Sequence, residues 1–301
     1  MSILLFGEIV WDDITENGGS GKPERLGGAP MNVAAHCARL GVPAQMCSAL
    51  DQDALGKMAL EQVCALGVGT DLVNIVSQET CLIKVSFGEN GEPSYHIPED
   101  VSWDHISIDA GQLERVRDCS CLYYGTLATR SPESRRTLED LLGHGHFSRV
   151  YCDVNMRQPF YNAETIEFSL RSCHIAKLNI DELLEIGGPF SLDADKLERQ
   201  MRRIADHFEI SQLIVTLGEN GAAYLDSGIF GQVPGIPVQV SDTVGAGDGF
   251  SAGAIACLER GLSLKEACAY GNRLGAFIAE QTGSIPDYSR KEFENWRRKN
   301  V

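Results

Sequence analysis

Residues 241–250 read Ser241-Asp242-Thr243-Val244-Gly245-Ala246-Gly247-Asp248-Gly249-Phe250, and an apolar run to Leu258 follows directly. A glycine-rich turn thus opens a helix, expected over Ala246–Arg260. Before this turn the chain carries two short β-rich runs, Gln212–Thr216 and Ala222–Leu225; after it comes a second helical pattern over Leu264–Glu280. The same alternation extends back to the N-terminus. Strands are expected at Ile3–Val10, Ala44–Leu50, Cys119–Tyr124, Val150–Val154 and His174–Leu178, with helices at Met31–Leu40, Ala54–Ala65, Pro132–Leu142, Ala163–Cys173 and Lys196–His207. Short apolar strands separated by helices are covered on both faces, so the expected class is α/β, a three-layer α/β/α sandwich with a mainly parallel central sheet.

Two stretches break the rhythm. Trp11–Arg25 is polar and glycine-rich, and within Thr80–Trp103 the residues Cys81, Ile83, Val85 and Phe87 alternate with polar ones before a turn at Glu89–Gly91. The expectation is a single domain, 1–301, whose residues of about 11–25 and 80–103 meet as a small β lid over the carboxyl edge of the main sheet, where such sheets bind ligands. A plain surface hairpin is the alternative.

The 301 residues, 43% hydrophobic and 23% charged, exclude a disordered or collagen-like chain. A formal charge of −16 repels phosphate backbones and anionic lipid, so neither nucleic acid nor a membrane is an expected partner. No apolar run approaches the roughly 20 residues of a membrane span, and Met1–Val10 has no secretory pattern, which points to cytoplasm. The ten cysteines read as buried reduced thiols, with Cys119 and Cys121 facing one layer. Gly18–Pro23 is no P-loop: Glu16 stands where the first glycine belongs and Pro23 where Ser or Thr belongs. No GxGxxG occurs, and His144 and His146 read as loop histidines without a further metal ligand.

Chemistry concentrates in two turns. At the start of the helix after Gly245, backbone N–H groups lack intrahelical acceptors and the macrodipole is positive, so an anion is favoured, and the small residues Gly245, Ala246 and Gly247 let it approach. A carboxylate at Asp248 would repel a bound phosphate unless it served proton transfer beside it, which points to phosphoryl transfer onto an alcohol. Alternatively Asp248 only complements the helix dipole, worth about 0.3–1 kcal/mol. The second turn is Leu26-Gly27-Gly28-Ala29-Pro30-Met31-Asn32-Val33-Ala34-Ala35, where Asn32 projects from a first helical turn beside two glycines. Its amide suits sugar hydroxyls; an ordinary helix start is the bland reading.

Together, Gly27-Gly28-x-x-x-Asn32-x-Ala34 and Asp242-Thr243-x-Gly245-Ala246-Gly247-Asp248 resemble the two signatures of the pfkB, or ribokinase-like, carbohydrate kinases. The runs Asp51–Gly56, Asp153–Arg157, Asn179–Glu182 and Thr216–Gly221 also resemble that family, so the likeness spans nearly the whole chain. It implies ATP and Mg²⁺ as cofactors, Asp248 as general base, and Gly245, Ala246 and Gly247 as an anion hole. It further implies Asp12, Gly28, Asn32 and Arg157 on the sugar side. Asp12 stands in a GExxxD arrangement, and Arg157 reads otherwise as a solvated loop arginine. Asn179 and Glu182 resemble the NxxE element that positions magnesium and phosphate through water, with an exposed helix start as the alternative. Thr216, Gly218, Gly221 and Asn272 fall on the nucleotide side, and Asp242 with the Val244 carbonyl matches one side of a potassium site. The motif Gly-Gly-Ala-Pro-x-Asn resembles fructokinases most, making fructose the expected small sugar. The lid stretches hold Lys22, Arg25 and Lys84 against Asp12, Asp13, Glu16, Glu24, Glu89 and Glu92, which disfavours a sugar acid such as 2-keto-3-deoxygluconate. Trp11, Phe87 and Tyr95 leave a nucleoside acceptor open. The alternative of another class is a sugar-binding or regulatory protein without turnover, and lid pairing in the family implies a homodimer.

Overall fold

A computed structural model describes residues 2–14, 25–87 and 93–300. Its main sheet has nine strands: β1 (Ser2–Phe6), β4 (Ala44–Asp51), β5 (Gly69–Val76), β8 (Cys119–Gly125), β9 (Arg149–Asp153), β10 (Ile175–Asn179), β11 (Gln212–Thr216), β12 (Ala222–Asp226) and β13 (Ile229–Val233). Their spatial order is β13-β12-β11-β10-β9-β8-β1-β4-β5, parallel except for β12, which runs antiparallel to both neighbours. Four further strands, β2 (Val10–Ile14), β3 (Arg25–Gly27), β6 (Leu82–Phe87) and β7 (Pro93–His96), form a separate sheet in the order β3-β2-β6-β7. The two distant stretches that broke the rhythm therefore do meet, β2 pairing in parallel with β6. Lys22, Glu16, Glu24, Glu89 and Glu92, the Gly18–Pro23 run and the Glu89–Gly91 turn lie outside the described residues.

Helices cover both faces of the main sheet. One core gathers α1 (Ala29–Arg39), α8 (Ala246–Leu258), α9 (Leu264–Ala279) and α10 (Arg290–Lys299) with side chains such as Ile3, Leu5, Tyr123 and Tyr151. The other gathers α4 (Pro132–His144), α5 (Ala163–Arg171), α6 (Ile180–Gly187) and α7 (Leu197–Phe208) with Leu4, Phe6, Leu122 and Tyr124. Helices α2 (Ala54–Ala65) and α3 (Ala110–Val116) complete the set. This alternation of Ile3 and Leu5 against Leu4 and Phe6 is the period of a strand covered on both faces.

Glycines set how closely α8 approaches α9. A Cβ on Gly253 would lie 3.1 Å from the Gly271 Cα, and one on Gly275 would lie 2.8 Å from the Ala246 carbonyl oxygen. The start of α8 is thus fixed by backbone-to-backbone packing, which leaves little slack where the anion turn lies.

Three expectations need correction. Ile3–Val10 is two strands, because Gly7 at φ 140 breaks the chain and sends it from the main sheet into the small one. Cys119 and Cys121 face opposite cores, since the pairing with β1 shifts register between Ser2 and Ile3 and reverses the alternation. His144 ends α4, its Nδ1 against the Asp140 carbonyl, and so is helical. The cysteines are all free, and nine of them are buried; Cys64 is exposed.

Candidate active site

Helix α8 begins without a side-chain cap. Its N-cap is Gly245 at φ 78, a left-handed conformation that glycine adopts freely, and a Cβ there would lie 2.5 Å from the Ser284 Cα. Ala246 N–H donates to the Thr243 carbonyl at 3.2 Å, while among the described residues the N–H groups of Gly245, Gly247 and Asp248 have no acceptor. The anion turn is therefore available through Gly245, Gly247 and Asp248 more than through Ala246.

Asp248 is half-buried, and its Oδ2 accepts a hydrogen bond from the Asn32 Nδ2 at 2.7 Å. Asn32 N–H in turn donates to the Gly28 carbonyl at 2.8 Å, so the two glycine turns, more than 200 residues apart, are joined by one amide. Burial raises the Asp248 carboxyl to about 6, with the nearby Asp153 pushing the same way and Asn32, Lys177 and Arg157 opposing. A base with that value is ionised at neutral pH yet holds a proton more strongly than an ordinary aspartate. The Asn32 Oδ1 is buried and has no partner among the described residues.

Beneath the turn lies a buried ion pair. Lys177, a lone charge inside the apolar strand β10, contacts both Asp153 oxygens at 3.0 and 3.1 Å, and Ser251 on α8 donates to Asp153 Oδ2 at 2.7 Å. Burial works against the Lys177 charge, but attraction from Asp153, Glu182 and Asp248 raises its pKa nonetheless. Its Nζ lies 3.4 Å from where a Cβ on Gly247 would stand, which puts a fixed cation directly behind the anion turn. Sequence reasoning passed over Lys177 and Ser251 and noted Asp153 only as the start of a family-like run, without a role; the available signal was a lysine in a strand otherwise made of buried apolar residues.

Asn179 and Glu182 cap α6 reciprocally. Asn179 Oδ1 accepts from the Glu182 N–H and Glu182 Oε2 accepts from the Asn179 N–H, both at 2.8 Å, so Asn179 is the N-cap rather than a member of the helical face. Glu182 Oε1 accepts from the Met156 N–H at 2.9 Å, tying α6 to the loop that carries Arg157. Arg157 is exposed, makes no ion pair among the described residues, and its charge acts on Asp248 and on Glu8.

The remaining expected residues lie around this centre. Asp12, half-buried on β2, has its carboxyl raised to about 6 by burial against the pull of Arg25 opposite it on β3. Thr216 closes β11 and donates to the Leu178 carbonyl at 3.4 Å. Gly218 and Gly221 bracket the turn before β12, and a Cβ on Gly221 would meet the Val233 carbonyl oxygen at 2.1 Å. Asn272 on α9 donates to the Pro234 carbonyl at 3.1 Å, so it braces the segment after β13 against which Gly221 packs. Asp242 accepts from the Val244 and Gly283 N–H groups, both at 3.0 Å, and thereby clamps the turn to the 283–287 segment. Trp11 is buried and its Nε1 donates to the Leu55 carbonyl at 3.0 Å, which removes it as a platform for a base. The side chains of Phe87 and Tyr95 lie outside the described residues.

The fold and this site define a ribokinase-like phosphotransferase. The fructokinase of Xylella fastidiosa with bound ATP superposes with a TM-score of 0.87 over 99% of this chain and 98% of its own, at 20% identity. A putative ribokinase II from E. coli in complex with ATP and Mg²⁺ superposes with a TM-score of 0.82 over 99% of both chains, also at 20% identity. The chain belongs to the pfkB family of carbohydrate kinases: the family described as "pfkB family carbohydrate kinase" matches residues 19–291. Among curated relatives, the probable fructokinase-5 of Arabidopsis thaliana is 27% identical over 307 aligned positions, covering 94% of this chain and 93% of its own. The main-chain helices are not long and apolar enough to cross a membrane among the described residues.

Proposed function

We propose that this carbohydrate kinase transfers the γ-phosphoryl group of ATP to a hydroxyl of a small neutral sugar, with fructose the first choice. The observation that carries the reading is the 2.7 Å bond from Asn32 to Asp248 at the uncapped start of α8. Asp248 takes the proton from the acceptor hydroxyl, and the free N–H groups of Gly245, Gly247 and Asp248 with the Lys177 ammonium hold charge on the moving phosphoryl group. Arg157 adds a second cation from the opposite loop. Asp12, Gly28 and the unpartnered Asn32 Oδ1 offer the sugar acceptors and a close backbone approach. Thr216, Gly218, Gly221 and Asn272 shape the nucleotide side.

Magnesium fits this donor set as an ion that arrives with the nucleotide. Among the described residues no group of three or more His, Cys, Asp or Glu could hold a metal alone. Each Glu182 oxygen already accepts one N–H and keeps lone pairs for a bound water, which suits an ion that retains most of its hydration and is held mainly by phosphates. Bound there, Mg²⁺ would neutralise phosphate charge. Under the same reading a monovalent cation sits beside Asp242 and the Val244 carbonyl, and turnover rises in potassium relative to tetramethylammonium. Two copies pairing through the small sheet would give a dimer in sedimentation.

Against a sugar acid stands Arg25, a described cation of the small sheet, which already faces Asp12. The deciding experiment gives the purified protein ATP, magnesium and a panel of fructose, ribose, 2-keto-3-deoxygluconate and nucleosides. ATP consumption with fructose supports the reading; faster consumption with another acceptor reassigns the substrate. Sugar binding without consumption anywhere in the panel makes the protein a non-catalytic binder.

A further inference from the structure

Glu8 is a buried acid to which the scheme above gives no task. It lies in the break between β1 and β2, at the carboxyl end of β1, where the sheet order passes to β8 on one side and β4 on the other. Only 5% of it is exposed. Its Oε1 accepts from the Ala29 N–H at 3.2 Å, and its Oε2 is buried without a partner among the described residues. Gly28 rests directly on it: a Cβ there would stand 2.3 Å from the Glu8 carbonyl oxygen and 3.2 Å from its Cγ. Gly28 is the N-cap of α1 and has no side chain to cap with, so the acceptor for Ala29 comes from 21 residues upstream.

The groups that act on Glu8 come from several elements. Ala29 belongs to α1, Arg157 to the loop after β9 and Asp248 to α8, and Glu8 bears on Tyr123 of β8 and on Cys81 before β6. Burial pushes the Glu8 carboxyl up to about 7, helped by the Asp248 charge and opposed by its own N–H, by Ala29 and by Arg157.

We infer that Glu8 is a positioning residue of the acceptor site: through Ala29 it holds the turn that carries Gly28 and Asn32, and when both acids are ionised its charge is coupled to that of Asp248. This rests on the kinase reading above. The path is short, because the Asn32 N–H bonds the Gly28 carbonyl and the Asn32 amide bonds the base. Displacing Ala29 therefore displaces the amide that orients Asp248. A residue that merely capped α1 would leave the titration of Asp248 untouched, and that difference separates the two roles.

Glu8→Gln keeps an acceptor for Ala29 and removes the charge, whereas Glu8→Ala removes both. With the sugar that wild type phosphorylates, Glu8→Ala raises the sugar KM about tenfold, equivalent to about 1.4 kcal/mol, and Glu8→Gln stays within about threefold. In Glu8→Ala the acidic limb of kcat/KM moves to higher pH, since Asp248 loses the aligned Asn32 hydrogen bond that favours its ionised form, while in Glu8→Gln it stays in place. Equal KM values in the two variants, or an unmoved limb in Glu8→Ala, overturn the inference. A melting cycle of wild type, Glu8→Gln, Asp248→Asn and the double variant needs no turnover. An acid raised above its unfolded value destabilises as pH climbs towards its folded value, so wild type loses melting temperature relative to Glu8→Gln between pH 5 and 8. The two substitutions are non-additive at pH 8; additivity there overturns the coupling. A chain that phosphorylates no sugar sinks the kinase reading and leaves the melting cycle to decide on Glu8, while an active Asp248→Asn sinks the base assignment alone.

Discussion

A carboxylate serving as a base must be ionised and must be aimed, and Asp248 meets the two conditions by different means. Burial raises it to about 6, and the Asn32 amide fixes one oxygen, leaving the other for a hydroxyl. Asp248→Asn can keep the Asn32 contact by turning its carbonyl oxygen towards it, so sugar affinity stays within a few-fold while kcat falls by about 10² to 10⁴. Loss of sugar binding in calorimetry, with kcat intact, would mean that Asp248 grips the sugar instead. The same ionisation makes kcat/KM fall as pH drops through about 6, because protonation of the raised carboxyl removes the base. A flat profile from pH 5 to 8 would contradict that role. Lys177 poses the opposite problem, a cation held in place by Asp153 at 3.0 Å with both groups buried. Lys177→Met leaves Asp153 as an uncompensated buried charge and costs about 3–5 kcal/mol of stability. Chemical denaturation checks it, and a loss below about 1 kcal/mol would show that water reaches Asp153.

At the level of elements, the decisive one is α8, whose glycines serve two ends. Gly245 bears on Ser284 and Gly247 bears on Lys177, so the same substitution has different consequences at each. Gly245→Ala must push the 284 segment away and abandon φ 78, which lowers the melting temperature as well as activity. Gly247→Val, at a position without positive φ, keeps the fold and fills the space before Lys177, so it raises the ATP KM at an unchanged melting temperature. Equal melting losses in both variants would refute this division. Which elements could be read from the sequence follows the same physics of burial. Strand β8, Cys-Ser-Cys-Leu-Tyr-Tyr-Gly, is buried throughout and stands out as an apolar run. Edge strand β5, Gly69–Val76, buries Leu72 while most of its other residues keep some contact with water, and α10 buries only Phe293, so neither leaves an apolar signature. The motif residues 245–248 and 28–32 were legible because small residues and turns mark them locally. Lys177 and Glu8 were not, since each is explained only by partners brought close by folding.

Over the whole molecule, the two sheets are joined where the site lies. The chain leaves β1 through Gly7 at φ 140, enters the small sheet at β2, and returns from β3 into α1 through Gly28 at φ 104. These two of the four crossings are glycines in conformations that other residues rarely adopt, whereas the crossings from β5 into β6 and from β7 towards α3 hold no glycine, and Glu8, Asp12, Gly28 and Asn32 cluster around the two glycines. Flexing at these two glycines, with the β5–β6 and β7–α3 connections bending along, would carry Asp12 and the small sheet towards or away from Asp248 without disturbing the buried main sheet. The acidic excess of the chain also favours such closure around a neutral sugar over a charged one, because each added negative charge near Asp12 and Asp248 would raise the cost of enclosing them. Closure would pair backbone groups more firmly in a sheet of four short strands, so sugar binding slows amide hydrogen exchange in Val10–Ile14 and Leu82–Phe87 more than in the buried strand β8. Exchange measured with saturating fructose and no nucleotide tests this. Protection confined to the turns at 28–32 and 245–248, with the small sheet unchanged, would make that sheet a fixed flank of the site and place the whole of sugar selection in residues that do not move.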